Sequence, residues 1–379
     1  ERLVGSEMCI RDRFYNNADV YDKLPDDIPY KIYVGEYAAI GRPSLYSSLA
    51  EAAYLTGVER NADKVQMVSY APLIENAAHG KDHLLVLKND SVYGRTNYYV
   101  LKMFSENRPD VNLHTDLKPA SPEPVFRTNG FIGLGTNNTE AQFKDLKVIV
   151  NGEEIYTSGW GDFVDKWTII RGDWKTEGNL LSQSQKGIDA LAILEDREFD
   201  NCTIELKAKK ISGTEGFRIV FGGTDPNNYF MADIGSHTNE SVIFREVNNE
   251  GSISLFDYRN TASIKTDQWY TVRIEIEGAH WKCFLNDELQ YEYTYAPKKK
   301  HYVVSGYDRE RKEVIVKLVN AEAGNWKVRL QLDKAKNLAS KGTKIVLGAD
   351  DRFDENSFSD PLKIVPKVTE LSGISNEFT

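Results

Sequence analysis

The chain has 379 residues and a mass of 43.0 kDa, with 47 Lys+Arg against 57 Asp+Glu and a net charge of −10. That length leaves room for two or three domains, and the acidic balance argues against a surface built to track nucleic-acid phosphates. No stretch reads as a membrane-spanning helix, three cysteines are too few for a disulfide-stapled scaffold, and 20 Tyr, 16 Phe and 6 Trp supply ample core material.

Lys31-Ile32-Tyr33-Val34 reads as a short apolar strand running into Gly35-Glu36-Tyr37. Pro43 opens a helix at a position where its missing N–H costs nothing. Leu45, Leu49, Ala52 and Ala53 give that helix one apolar face, and Gly57 ends it. The spacing of Ala62, Val65 and Val68 predicts a second helix stopping at Ala71-Pro72. Leu84 to Leu87 is a continuous apolar run, the pattern of a strand buried on both faces of a parallel sheet. Tyr98 to Phe104 reads as a further helix. This alternation over residues 30–106 predicts an α/β segment of barrel or doubly wound type.

Pro109, Pro119, Pro122 and Pro124 mark a linker-like stretch over 107–130. Beyond it period-2 patterning takes over. Ile204, Leu206 and Ala208 alternate with polar residues, as do Phe217, Ile219 and Phe221, then Tyr270, Val272, Ile274 and Ile276. Turn residues separate these runs, which predicts an antiparallel β-sandwich. Cys202 and Cys283 fall in its strands and read as buried free thiols. Trp269 falls at a strand start and Trp281 outside the buried phase. Lys298-Lys299-Lys300 marks a second boundary. Val314, Val316 and Leu318, then Trp326, Val328, Leu330 and Leu332, predict more alternating strands. No phosphate-binding glycine loop, Cys-x-x-Cys pair or metal-ligand spacing among the six His is present. No cofactor and no metal are expected.

Glu36 is the residue with chemical promise. A carboxylate at the C-terminal end of a buried strand stands where α/β barrels place catalytic groups. It could attack an anomeric carbon or serve as acid or base, although on local pattern alone a Glu at a strand end more often merely caps or pairs. Asn89 follows the next predicted strand, where an amide could bind a sugar hydroxyl or simply make a turn.

Val34–Ala38 (VGEYA), Ser48–Leu73 (SLAEAAYLTGVERNADKVQMVSYAPL) and Val92–Ser105 (VYGRTNYYVLKMFS) together resemble the end of the barrel of glycoside hydrolase family 51, the α-L-arabinofuranosidases. Val314–Asn320 (VIVKLVN) and Asp354–Pro366 resemble that family's C-terminal β-sandwich. The resemblance implies a retaining, exo-acting enzyme on a (β/α)8 barrel that releases arabinose from arabinan- or arabinoxylan-type polysaccharides. By position in the motif, Glu36 takes the role of nucleophile. The acid/base Glu of the family has no counterpart among residues 14–113, and the family's substrate-contacting Gln is not carried onto Arg95. Self-association through the barrel, and export to the periplasm or the cell exterior, are compatible with the resemblance; nucleic acid and membrane are not expected partners.

Between the blocks, Gly130–Val148, Asp173-Trp174-Lys175 and Trp281–Asn286 resemble laminin-G/concanavalin-like jelly rolls, including the domain named for 3-keto-disaccharide hydrolases. No matching catalytic set supports carrying that activity over. If this sandwich binds carbohydrate, Trp160, Trp167, Tyr229 and Trp269 are the aromatic platforms on offer; otherwise they are core and the domain is a spacer. Leu3–Arg13 (LVGSEMCIRDR) resembles the translation of a transposon-type sequencing adapter. The expected organisation is therefore an artefactual 1–13, the C-terminal part of a barrel over 14–113, an inserted sandwich over 114–302 and a truncated C-terminal sandwich over 303–379. That makes a predominantly β, multidomain piece of a longer enzyme, inactive by itself. The competing readings are a non-catalytic carbohydrate-binding or structural multi-sandwich protein, and a barrel enzyme acting on other furanosides or xylosides.

Overall fold

The computed structural model describes residues 2–4, 7–40, 43–79, 84–120, 125–249, 251–255, 262–333 and 335–379, with side chains from Phe14 onward except those of residues 40, 79, 195 and 196. The chain divides into two compact units, Glu1–Ser121 with Lys298–Thr379, and Pro122–Pro297. Strands dominate, in several separate sheets.

The first unit begins with a parallel sheet. Strands β1 (Arg2–Val4) and β2 (Glu7–Ile10) pair along one edge of β3 (Ile32–Ile40), and helix α1 (Arg11–Asn16) follows β2. Residues set aside as artefactual thus contribute backbone pairing to β3. Helix α2 (Leu45–Arg60) leads from β3 to β4 (Val65–Tyr70), which lies parallel to β3 on its other edge.

This corrects the predicted second helix. The i, i+3, i+6 spacing of Ala62, Val65 and Val68 is outweighed by the β-branched and aromatic content of Val65–Tyr70 and by the ladder β3 offers. The helix α2 is buried on nearly every side rather than along one stripe, from Leu45 through Gly57 except Leu49. Gly57 does not end it; the helix continues to Arg60. A Cβ at residue 57 would lie 1.8 Å from the Ala18 carbonyl oxygen, so the glycine is there to let two backbones meet.

Strands β5 (Ile74–Asn76), β6 (Leu85–Lys88) and β7 (Ser91–Gly94) form a separate small sheet, parallel between the first two and antiparallel between the last two. Leu84 and Val86 are buried but Leu87 is exposed. The run is therefore covered on one face only, the face that Leu84 and Val86 share. Helix α3 (Thr96–Glu106) includes the predicted Tyr98–Phe104 segment, and strand β8 (Val111–Leu113) follows inside the stretch read as linker.

The second unit is the sandwich. Its strands are β9 (Asn129–Asn137), β10 (Thr139–Val150), β11 (Glu153–Ser158), β12 (Trp167–Arg171), β13 (Trp174–Glu177), β14 (Leu180–Gln183), β15 (Asp189–Asp200), β16 (Cys202–Gly213), β17 (Phe217–Asp225), β18 (Asn228–Gly235), β19 (Ser241–Asn248), β20 (Gly251–Leu255), β21 (Trp269–Glu277), β22 (His280–Leu285) and β23 (Glu288–Thr294). An eight-stranded antiparallel sheet in the order β13-β14-β10-β16-β21-β22-β23, with β11 beside β10, faces a seven-stranded sheet ordered β12-β15-β9-β17-β18-β19-β20.

The core between them holds Ile204, Leu206, Ala208, Phe217, Ile219, Phe221, Tyr270, Val272, Ile274 and Ile276, in the phase the alternation predicted. Trp281 is a correction. It is fully buried in that core, because its register partner is Ile276 and it shares the inward phase of Cys283 and Leu285. Its indole N–H donates to Thr128 Oγ1 at 2.8 Å, which removes the cost of burying a polar atom. Cys202 and Cys283 are buried free thiols. Burial pushes Cys202 up to about 12 and raises Cys283 further.

The remaining strands belong to the first unit. β24 (His301–Asp308) pairs with β25 (Glu313–Asn320) and with β8. Two further pairs follow: β26 (Leu330–Gln331) with β29 (Glu377–Phe378), and β27 (Lys341–Val346) with β28 (Lys367–Ser372). The predicted strand through 326–332 shrinks to Leu330–Gln331, and Trp326 instead stacks on the His301 ring at 4.1 Å. Val314 and Leu318 are exposed; Val319, in the opposite phase, is the buried residue of β25.

Candidate active site

Glu36 lies within β3, the central strand of the parallel sheet, and its side chain is half-buried. The strand does not stop at Val34 as its apolar run suggested. It continues to Ile40, because β2 pairs with Tyr37–Ile40. The ladder to β4 is irregular between Val34 and Tyr37, on either side of Glu36, and its last rung is Tyr37 with Tyr70. Among the described residues none hydrogen-bonds to or ion-pairs with the Glu36 carboxylate.

The surroundings of that strand end are fixed by α2. Glu51, 1% exposed, accepts the Ala39 N–H at 2.8 Å and the Tyr70 O–H at 3.1 Å. Its carboxylate therefore holds the backbone three residues past Glu36. Tyr37 packs edge-on against Tyr70 at 5.1 Å and against Phe14 at 6.4 Å. Burial, with the Glu51 charge as a smaller contribution, raises the Tyr37 hydroxyl far above its usual range, so it stays neutral. That hydroxyl has no hydrogen-bond partner among the described residues.

The segment 352–355, which runs into the block at 354–366, clasps both helices. Leu45 N–H and Tyr46 N–H, at the start of α2, donate to the carbonyls of Asp354 and Arg352. Glu355 accepts from Thr96 N–H at 2.9 Å and Thr96 O–H at 3.0 Å, satisfying donors at the first turn of α3. Burial raises Glu355, with the Asn356 and Thr96 hydrogen bonds opposing. Ser48 of α2 lies 2.6 Å from Thr96 Oγ1 and 2.8 Å from Asn97 Oδ1, locking α2 to α3. Nothing local in the sequence marks Glu51 or Glu355. The partners of Glu51 lie 12 and 19 residues away, and Glu355, besides accepting from the neighbouring Asn356 N–H, meets Thr96 across 259 residues.

The other expected site residues fare differently. Asn89 is exposed in the β6–β7 turn with φ 53°, in a different sheet from Glu36. A two-residue hairpin needs the left-handed conformation, which Asn tolerates, so its turn chemistry explains it. Trp160 and Trp167 are 1% and 5% exposed. They pack on each other at 5.8 Å, and Trp167 N–H donates to Tyr156 at 3.0 Å, so both are core and present no free ring face. Trp269 is half-buried, with the Lys144 and Lys209 ammonium groups 4.3 and 5.1 Å from its ring centre. Its ring is taken by cation–π contacts rather than left open. Tyr229 is 5% exposed and forms part of a cavity wall. Among the described residues no group of three or more His, Cys, Asp or Glu could hold a metal ion.

Residues 35–379 match the family model of the α-L-arabinofuranosidase C-terminal domain, and the chain belongs to that family. It is 27% identical over 372 residues to an extracellular exo-α-L-arabinofuranosidase of Streptomyces chartreusis, covering 97% of this chain and 44% of the relative. It is 32% identical over 186 residues to α-L-arabinofuranosidase 1 of Arabidopsis thaliana, covering 45% of this chain and 27% of that protein. The chain thus spans less than half the length of these relatives. Among solved structures, an arabinose-bound family 51 α-L-arabinofuranosidase aligns at 21% identity and TM-score 0.29 over 52% of this chain and 37% of that one. A carbohydrate-binding module from Bacillus subtilis aligns at 21% identity and TM-score 0.30, over 35% of this chain and 81% of the module.

Proposed function

We propose that this chain supplies the nucleophile, Glu36, of a retaining exo-acting α-L-arabinofuranosidase that releases arabinose from arabinan- or arabinoxylan-type polysaccharides. The observation that carries the reading is Glu36 itself: a half-buried carboxylate on the central strand of a parallel sheet, in a chain of this family. The β3–α2–β4 unit, parallel and helix-connected, is what the closing part of a (β/α)8 barrel would contain. The name of the Streptomyces relative supports the exo mode and an extracellular setting. No helix among the described residues is long and apolar enough to cross a membrane.

In this reading a Glu36 oxygen attacks the anomeric carbon and forms a glycosyl ester while the glycosidic C–O bond breaks. A second carboxylic acid, about 5–5.5 Å away, gives its proton to the departing oxygen, then takes a proton from the water that hydrolyses the ester, so configuration is retained. Glu51 is not that acid, since its carboxylate already accepts from Ala39 and Tyr70 and is sealed from solvent. The acid/base group lies outside this chain, and the 379 residues alone do not turn over a natural glycoside. Glu51, Tyr70 and the 352–355 clasp keep the nucleophile's strand in place.

The test is Glu36→Gly in the longer enzyme. The expected result is a loss of at least about a thousandfold in kcat/KM on an aryl arabinofuranoside, ~4 kcal/mol of transition-state stabilisation. Activity near the parent removes Glu36 from the role. Release of arabinose by the isolated 379-residue chain overturns the placement of the acid/base group elsewhere.

A further inference from the structure

We propose that the sandwich carries a binding pocket for a neutral glycosyl unit, built from Arg171, Asp189, Tyr229, Asn248 and Ser252. These residues line a cavity of about 410 Å³ against the seven-stranded sheet, within the range of small-molecule sites, about 300–1,000 Å³. Arg171 ends β12 and Asp189 begins β15. The β17–β18 turn contributes Pro226 and Asn227, and the β19–β20 turn contributes Asn249 and Gly251. Tyr229, Val247 and Ser252 are register partners on adjacent strands, so they stand side by side on one sheet face. Tyr229 also belongs to a small apolar cluster with Phe131, Leu191 and Met231, separate from the main core.

The polar groups are held from beneath. Arg171 donates from Nε to the Asp189 carbonyl at 2.8 Å, and its guanidinium lies 3.9 Å from the Asp189 carboxylate. Asp189 also pairs with Arg218, which is fixed by the fully buried Asp233. Arg171 and Asp189 themselves are 39% and 52% exposed at the side chain, so both can still reach a ligand. Burial raises the Tyr229 hydroxyl, with the Asp189 charge adding to the rise, so the group remains a neutral donor and acceptor.

The composition selects the ligand class. A sugar hydroxyl donates and accepts at once, and this lining offers a carboxylate acceptor, a guanidinium donor, amides that do both, and hydroxyls. Val247 and Pro226, both half-buried, supply apolar surface for the C–H face of a pyranose or furanose, beside the buried Tyr229. One Arg and one Asp balance, so a phosphate would meet Asp189 and an ammonium would meet Arg171. A neutral polyhydroxylated ring meets neither penalty. The pocket draws on the proposed arabinofuranosidase reading only for the choice of polysaccharides to try.

The experiment is affinity electrophoresis of the 379-residue chain through soluble arabinan, arabinoxylan and arabinogalactan, with heparin as a charged comparison. Retardation by at least one neutral polymer and none by heparin is expected. Arg171→Met and Asn248→Ala should each weaken that retardation at least tenfold while the tryptophan-fluorescence melt stays at the parent's temperature; Trp269→Ala should leave it unchanged. No retardation by any neutral polymer overturns the pocket. So does parental binding by both pocket variants, or loss of binding in Trp269→Ala alone. Retention is read without turnover, so a failed Glu36 assignment leaves the pocket standing, and an unretained chain leaves Glu36 untouched.

Discussion

Asp233 offers the sharpest test of the packing. It lies on β18, 1% exposed, with Arg218 Nε 3.1 Å from one carboxylate oxygen and Arg245 Nε 2.5 Å from the other. Replacing it with alanine leaves two guanidinium groups facing each other in a largely dry space. Breaking a buried ion pair from one side costs about 3–5 kcal/mol, mostly from the charge left behind. Arg218 keeps Asp189, and Arg245 keeps Ser254 and Ser236 at 2.8 Å each, so the lower end applies, about 3 kcal/mol. For a unit of this size that is a fall of about 6–12 °C in Tm. Five of the six tryptophans lie in the sandwich, so intrinsic fluorescence follows this unit selectively.

The pH dependence has a definite sign. Burial alone would raise Asp233, but Arg218 and Arg245 outweigh it and hold the carboxyl below its ordinary value. A depressed carboxylate stabilises the fold fully above the unfolded-chain pKa of about 3.9, and that contribution disappears as pH falls through the folded value. The gap between parent and Asp233→Ala should therefore be constant from neutral pH down to about 5 and close in stronger acid. Asp233→Leu combined with Arg218→Met and Arg245→Leu should recover most of the loss. A Tm within about 2 °C of the parent for Asp233→Ala, below 1 kcal/mol, would refute the reasoning.

Two other perturbations are informative. Gly57→Ala gains about 1 kcal/mol of helix propensity but places a methyl against the Ala18 carbonyl, an overpacking cost of about 1–3 kcal/mol; far-UV circular dichroism should show a lower melting temperature, and a raised one would contradict the close approach. In a Cys9→Ser background, neither Cys202 nor Cys283 should react with an aromatic disulfide reagent in native buffer at mildly alkaline pH, because burial raises both thiols. Both should react in denaturant; labelling of the native chain at a free-thiol rate would show that the sandwich core opens.

Much of the sandwich was legible because its signal is local. Alternation along β16, β17 and β21 marks which residues face inward, and the hydrophobic effect enforces that phase wherever one face is covered. Trp281 was misread because its phase depends on pairing with Ile276, a partner outside its own strand. The segment Val65–Tyr70 carries both a helical spacing and β-forming side chains, and the open edge of β3 decided between them. At the candidate site, Glu36 stands out by its motif and by the strand beneath it. Glu51 and Glu355 do not, since a carboxylate becomes a positioning group only when a donor from elsewhere in the chain meets it.

Length and aromatic content determined that there would be more than one core, and the alternation determined the inward faces of the sandwich strands. Tertiary structure alone decided where the aromatic side chains went. Trp160, Trp167 and Trp281 entered the core and Trp269 was covered by lysines, while Arg171, Asp189, Tyr229, Asn248 and Ser252, scattered over five strands, came to line one cavity. The physical reason is that burial follows period along a strand, whereas this cavity joins β12 and β15 to β18, β19 and β20 across two intervening strands, which no local period encodes.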